Sequence, residues 1–166
     1  MKRPLFTPLV CVALAAAAFA ADPAPQKTTI DSAHFEMQTV GTEKHFVFKR
    51  DAQKRVTLVG TNIRIVCDNL EIAALGVGDS TTTVPNLEKF KHLLATGNVL
   101  IVQGDREARC GRAEVFPRDN KIELTETPSV VDRGTGWKGD GEKITMFRGD
   151  RRVVIEQSKF EGPEIK

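Results

Sequence analysis

Residues 94–130, LATGNVLIVQGDREARCGRAEVFPRDNKIELTETPSV, decide the fold of this chain. Val99 and Ile101 alternate with Asn98, Leu100 and Val102. Ala108, Cys110, Ala113 and Val115 alternate, with one slip, against Glu107, Arg109, Arg112 and Glu114. Ile122 and Leu124 alternate against Lys121, Glu123 and Thr125. Successive side chains on a strand point to opposite faces, so the pattern sets an apolar row inside and a charged row outside. Between the segments, Gln103-Gly104-Asp105 and Pro117-Arg118-Asp119-Asn120 have turn chemistry. The stretch reads as a β-meander with a small, branched inward row.

Outward from it, Ile63, Ile65, Cys67, Leu70 and Ile72 repeat the spacing of Arg106, Ala108, Cys110, Ala113 and Val115, as two copies of one structural rung. If such rungs stack as neighbours, Cys67 and Cys110 face the same way and can bond across strands; the alternative is two buried free thiols. Phe46 and Phe48, then Val56 and Leu58, predict two strands with a turn at residues 50–53. Residues 76–83 read as a flexible loop. Leu87, Phe90 and Leu94 have helical spacing, and a short helical turn feeding into a strand is expected over 85–94. Residues 132–140 read as a Gly-rich turn region around Trp137, read either as a plug at the edge of the core or as lining for a cavity mouth. A last strand pair is expected over 143–147 and 152–155, with a hairpin turn at residues 148–151. The tail from Ser158, with Gly162-Pro163, is expected to be loose.

The chain of 166 residues opens with Lys2 and Arg3, an apolar run to Phe19, and the small-x-small signature Ala18-Phe19-Ala20. That predicts a cleaved signal peptide over 1–20, with a retained membrane anchor as the alternative. A flexible lead-in with a first strand is expected over 21–40, one β-domain over 41–160, and a loose end over 161–166. Loss of Lys2 and Arg3 leaves equal numbers of basic and acidic residues. A neutral, sign-interspersed surface argues against nucleic-acid binding.

No enzyme chemistry is called for. His34, His45 and His92 lack further ligands at metal spacing and read as solvated surface residues. There is no G-x-S-x-G, Gly139-x-Gly141 lacks its third glycine, and residues 76–83 lack the Lys of a phosphate loop. Glu107, Glu114, Glu123 and Glu126 read as outward residues among Arg and Lys. No cofactor is expected.

The segments A-x-G-N-V-x-I at Ala95–Ile101, A-R-C-G-R-A-E-V-F at Ala108–Phe116 and I-E-L-T-E-T-P-S-V at Ile122–Val130 resemble, in that order, the OstA-like family of periplasmic lipopolysaccharide-transport proteins, the LptA type. The resemblance runs from about Val56 to Ile155. One departure is Glu126, where the family commonly has glycine. The resemblance implies an all-β fold, an open, V-shaped antiparallel β-jelly roll of stacked rungs. It also implies a periplasmic protein whose apolar interior holds the lipid A acyl chains of lipopolysaccharide. Each methylene so sheathed is worth about 0.8 kcal/mol. The inward candidates are Val56, Leu58, Ile63, Ile65, Leu70, Ile72, Val99, Ile101, Ala108, Ala113, Val115, Ile122, Leu124, Val130, Ile144, Met146, Val153 and Ile155. Unpaired terminal strands would let copies, or other β-jelly-roll components of a transport bridge, join head to tail. Two alternatives stay open: a membrane-anchored component of the same system, and a structural β-scaffold with a filled interior.

Overall fold

The computed structural model describes residues 28–41, 43–75, 90–147 and 152–163. They form one antiparallel sheet of fourteen strands. In chain order these are β1 (Thr29–Asp31), β2 (His34–Val40), β3 (Glu43–Lys49), β4 (Val56–Val59), β5 (Arg64–Cys67), β6 (Asn69–Leu75), β7 (Phe90–Gln103), β8 (Arg106–Phe116), β9 (Lys121–Thr125), β10 (Ser129–Asp132), β11 (Trp137–Asp140), β12 (Lys143–Phe147), β13 (Val153–Glu156) and β14 (Lys159–Glu161). The signal segment, the 76–83 loop, the helical turn expected before Phe90 and the 148–151 hairpin turn lie outside the described residues.

The sheet folds over on itself. One wall runs β1-β4-β5-β7-β8-β10-β11-β14, and the other β2-β3-β6-β7-β8-β9-β12-β13. Among the described strands only β7 and β8 are long enough, at 14 and 11 residues, to pass through both walls unbroken. Every other rung is two short strands joined at a corner. The walls face each other, because Leu58 and Ile65 of the first border the same small cavity as Leu93 and Val115 of the second.

The corners explain why each rung bends. In β7 the register slips between Thr96 and Val99, and Gly97 and Asn98 both take positive φ, 77° and 47°. A β-carbon at Gly97 would stand 2.8 Å from Asp68 Cβ, so only glycine lets β7 approach the preceding corner. There Arg55 Nε donates to Asp68 Oδ1 (3.2 Å), Asn98 Nδ2 to Asp68 Oδ2 (2.8 Å), and Asp68 N to Gly97 O (3.0 Å). Two rungs further on, Gly111 N donates to Glu126 O at 2.9 Å. Glu126 and Thr127 take φ of 62° and 57°. That is the left-handed region that favours glycine, the residue the family commonly carries at this point.

The first strand expected within residues 21–40 is present as β1, with β2 after it. The structure corrects the expectations at three places. Residues 132–140 are not all turn, since β11 begins at Trp137. The tail is strand at β14, where Phe160 stacks on Trp137 with ring centroids 6.0 Å apart. Phe90 to Leu94 is strand throughout.

Candidate functional site

Register fixes which side chains meet between the walls. In the first wall, Leu58, Ile65, Ile101, Ala108 and Val130 are successive cross-strand partners. The row is extended by Ile30 at one end and by Gly139 and Phe160 at the other. In the second wall, Leu70, Ala95, Ala113, Leu124, Ile144 and Ile155 form one row. Phe46, Ile72, Leu93, Val115, Ile122, Met146 and Val153 form the next.

All eighteen inward candidates point into this space. Val56, Leu58, Ile65, Leu70, Ile72, Val99, Ile101, Ala108, Ala113, Val115, Ile122, Leu124, Val130, Ile144 and Met146 are buried, and Ile63, Val153 and Ile155 are partly buried against them. The same core also contains Phe46, Cys67, Ala74, Phe90, Leu93, Ala95 and Cys110, which the inward set omitted.

Among the described residues this space is packed by the protein's own side chains. Between Leu58, Ile65, Leu93 and Val115 about 70 Å³ remains. That is roughly the share of two liquid waters, at about 30 Å³ each, far short of an acyl chain.

The mouth is different in character. Past the apolar row of the first wall, Gln103 pairs across strands with Arg106, Arg106 with Asp132, and Asp132 with Trp137. Arg106 Nε donates to Asp132 Oδ2 at 3.1 Å, with both side chains largely shielded. Asp132 Oδ1 accepts from the amides of Gly134 (3.0 Å) and Thr135 (3.1 Å). Burial works against the charge of Asp132, but the Arg106 guanidinium and Thr135 together hold its carboxyl below the usual range. A cavity of about 550 Å³ opens here, between these residues and Phe147 of the opposite wall. Trp137 is half-buried at this rim and packs on the core edge.

Cys67 and Cys110 are free and buried, so the disulfide is not formed. Cys110 pairs with Val99 in the strand between them, and β5 lies on the far side of β7. Two strand spacings, about 9.6 Å, exceed the roughly 7 Å that a disulfide tolerates. Burial pushes both thiols up to about 12.

The outer face carries the charges. Glu114 and Glu123 are direct cross-strand partners, an unfavourable like pair that cations flank on both sides. Arg112 bonds Glu114 at 2.8 Å, while Lys121 and Lys143 reach Glu123 at 2.8 and 2.9 Å. The bond from Arg112 holds the Glu114 carboxyl below its usual range, and those from Lys121 and Lys143 do the same for Glu123. His92 was expected to be solvated. It is half-buried, 3.2 Å from Glu114 and against the Phe116 ring. Among the described residues no group of three or more His, Cys, Asp or Glu could hold a metal ion.

Among the described residues the walls stop at strands paired on one side, β1 and β2 at one end, β13 and β14 at the other. The inward row runs out into solvent there: Phe35 and Met37 are 58% and 54% exposed, and Phe160 is 64% exposed.

A folded-over antiparallel sheet with an apolar interior and open ends is the OstA-like β-jelly roll, and the chain has this LptA-type fold. The crystal structure of LptH from Pseudomonas aeruginosa, the LptA-homologous periplasmic component of the lipopolysaccharide transport device, superposes with a TM-score of 0.64. The match covers 84% of this chain and 96% of that one at 11% identity. No family model matches the chain, and no curated protein matches it in sequence.

Proposed function

We propose that this protein is a periplasmic, non-enzymatic component of lipopolysaccharide transport, exported by a cleaved signal peptide over 1–20. In this reading it sheathes the acyl chains of lipid A between its two walls. The observation that carries the reading is the wall-to-wall apolar interior, continuous along the stack and ending in solvent-exposed Phe35, Met37 and Phe160. The similarity in fold to LptH, itself such a component, supports the same reading. The unpaired strands at each end suit head-to-tail joining, to further copies or to other β-jelly-roll components of a bridge between membranes.

The filled interior favours a second reading, a β-scaffold with no cargo. Photo-crosslinking residues at Ile65 and Ile101, with Glu123 as the outward control, separate the two. Crosslinks to lipopolysaccharide at the inward sites and none at Glu123 are expected. None at any site, in folded protein, leaves the scaffold.

A further inference from the structure

The inward row of the first wall runs through Ile101, Ala108 and Val130 to Gly139, which has no side chain to offer. Its place is taken from the opposite wall. A β-carbon on Gly139 would collide with Ile155 Cδ1, and one on Gly141 would stand 2.6 Å from Ile155 Cγ2. Ile155 thus reaches across the interior and ends against the backbone of β11. Around Leu58, Ile65, Leu93 and Val115, by contrast, both walls contribute side chains to the space between them. At Gly139 one side chain spans it. Resting on the carrier reading, we propose that Ile155 is a plug, which retains acyl chains at the C-terminal end of the groove until its side chain turns aside.

The position suits that role. Ile155 belongs to β13, the last described strand of the second wall, and it touches β11, one lane short of β14 in the first. Phe160 of β14 continues the row beyond the contact and is 64% exposed. A chain moving along the row from Val130 towards Phe160 therefore meets Ile155 on the way.

The freedom of the side chain suits it too. Ile155 is partly buried, whereas Ile144, its cross-strand partner in the same row, has no exposed surface. A change of rotamer at Ile155 takes Cδ1 out of the notch and breaks no ladder hydrogen bond, since those bonds belong to the backbone. Nor is the glycine there for its backbone. Gly139 is not one of the glycines at positive φ, so its conformation is open to other residues. The approach of Ile155 is what keeps the position bare.

The test moves one carbon across the gap. The full chain is loaded with lipid A at low protein concentration, and release into phosphatidylcholine vesicles is timed. Ile155→Val removes Cδ1 and should release lipid A about fourfold faster, the factor that one buried methylene-sized group carries. Adding Gly139→Ala puts a methyl where Cδ1 had been, and release should return to within about twofold of wild type. Ile144→Val removes the same methyl one strand away, from a side chain outside the notch, and should leave the rate unchanged. Ile155→Val at the wild-type rate would mean that chains leave by another route. Ile144→Val as fast as Ile155→Val would mean a general loosening of the core. Either result overturns the plug, and so does a double variant as fast as Ile155→Val alone. In all three the carrier reading stands, because lipid A was taken up. A wild type that takes up no lipid A overturns the carrier reading and the plug together.

Discussion

The corner between β8 and β10 makes the sharpest prediction. A β-carbon on Gly111 would stand 2.7 Å from Glu126 Cβ and would also run into the Glu126 carboxylate. The carboxylate can swing away, but Cβ is fixed to a backbone whose carbonyl already accepts from Gly111 N at 2.9 Å. Gly111→Ala therefore has to shift the corner, an overpacking cost of about 1–3 kcal/mol. Glu126→Gly removes the opposing Cβ and a left-handed residue worth about 1–2 kcal/mol. It adds glycine's entropic cost of about 0.5–1 kcal/mol, so the single variant should lie within about 1 kcal/mol of wild type. In the double variant the methyl introduced by Gly111→Ala has nothing to meet, and most of the loss should return, a coupling of about 1–2 kcal/mol. Urea unfolding of the four proteins measures it, with m-values equal across the set as the check on two-state behaviour. Losses that simply add, within about 0.5 kcal/mol, would refute the steric account.

Other expectations follow from burial and charge. Cys67 and Cys110 should resist a thiol reagent at pH 8 in the folded chain and react on unfolding, as peptide mass analysis of the labelled protein would reveal. Their folded values, raised to about 12, sit above the ordinary 9.0, so the stability they carry is full below pH 9 and is lost as pH rises towards 12. A urea midpoint that is flat across that range would contradict it. Glu114, Glu123 and Asp132 have folded values held below the ordinary 4.5, 4.5 and 3.8. The unfolded chain then binds more protons there, so stability should fall as pH drops below about 4. Lys143→Met should flatten that acid slope, and an unchanged slope would remove Glu123 from the account. Leu124, with no exposed surface, should cost about 2–5 kcal/mol on truncation to Ala, read from the same urea curves.

Alternation, with one slip at the Gly111 corner, made Val99 to Leu124 legible in the sequence, because the inward side chains there pack on the opposite wall and the outward ones meet solvent. The start of β7 was not legible, and the bulge is the reason. Ala73 pairs with His92 but Ala74 with Phe90, so Lys91 drops out of the count. Inward residues then fall at Phe90, Leu93 and Ala95, a spacing of three and then two, and a three-residue step imitates a helix. β11 was missed because its inward residues are Trp137 and Gly139, and a glycine has no side chain to alternate. Its bareness is structural: a β-carbon on Gly139 would collide with Ile155 Cδ1 from the facing wall. The repeat through Cys67 and Cys110 was real, but β5–β6 and β8 are alternate rungs with β7 between them, so matched spacing did not mean contact. Of the candidate site, the apolar interior could be read from the sequence. The rim could not, since Gln103, Arg106 and Asp132 resemble any polar turn until register puts them on the inward face.

The order of strands bears on the ends as well as on the interior. Among the described residues each wall holds an even number of lanes, β1 to β14 in the first and β2 to β13 in the second, and every neighbouring pair is antiparallel. The first and last lanes of a wall therefore run in opposite directions. A second copy set on the end in the same orientation would bring β1 beside β14 and β2 beside β13, antiparallel in both walls, and the inward rows would run on across the joint. An odd number of lanes would have made the joint parallel, with its slanted and slightly weaker bonds. Under the head-to-tail joining proposed above, such a joint would cover the exposed inward residues at the ends: Phe35 and Met37 would face the interior beyond Val153 and Ile155, and Phe160 would continue into Ile30. A charge in that path tests it more sharply than a change at the rim of the sheet. Met37→Glu leaves the described core untouched, since the residue is 54% exposed in the single chain. It should suppress concentration-dependent association in sedimentation while leaving the urea midpoint of the dilute protein where it was. Association that persists in Met37→Glu would mean that copies meet through some other face, and the match of strand direction at the ends would then have no part in assembly.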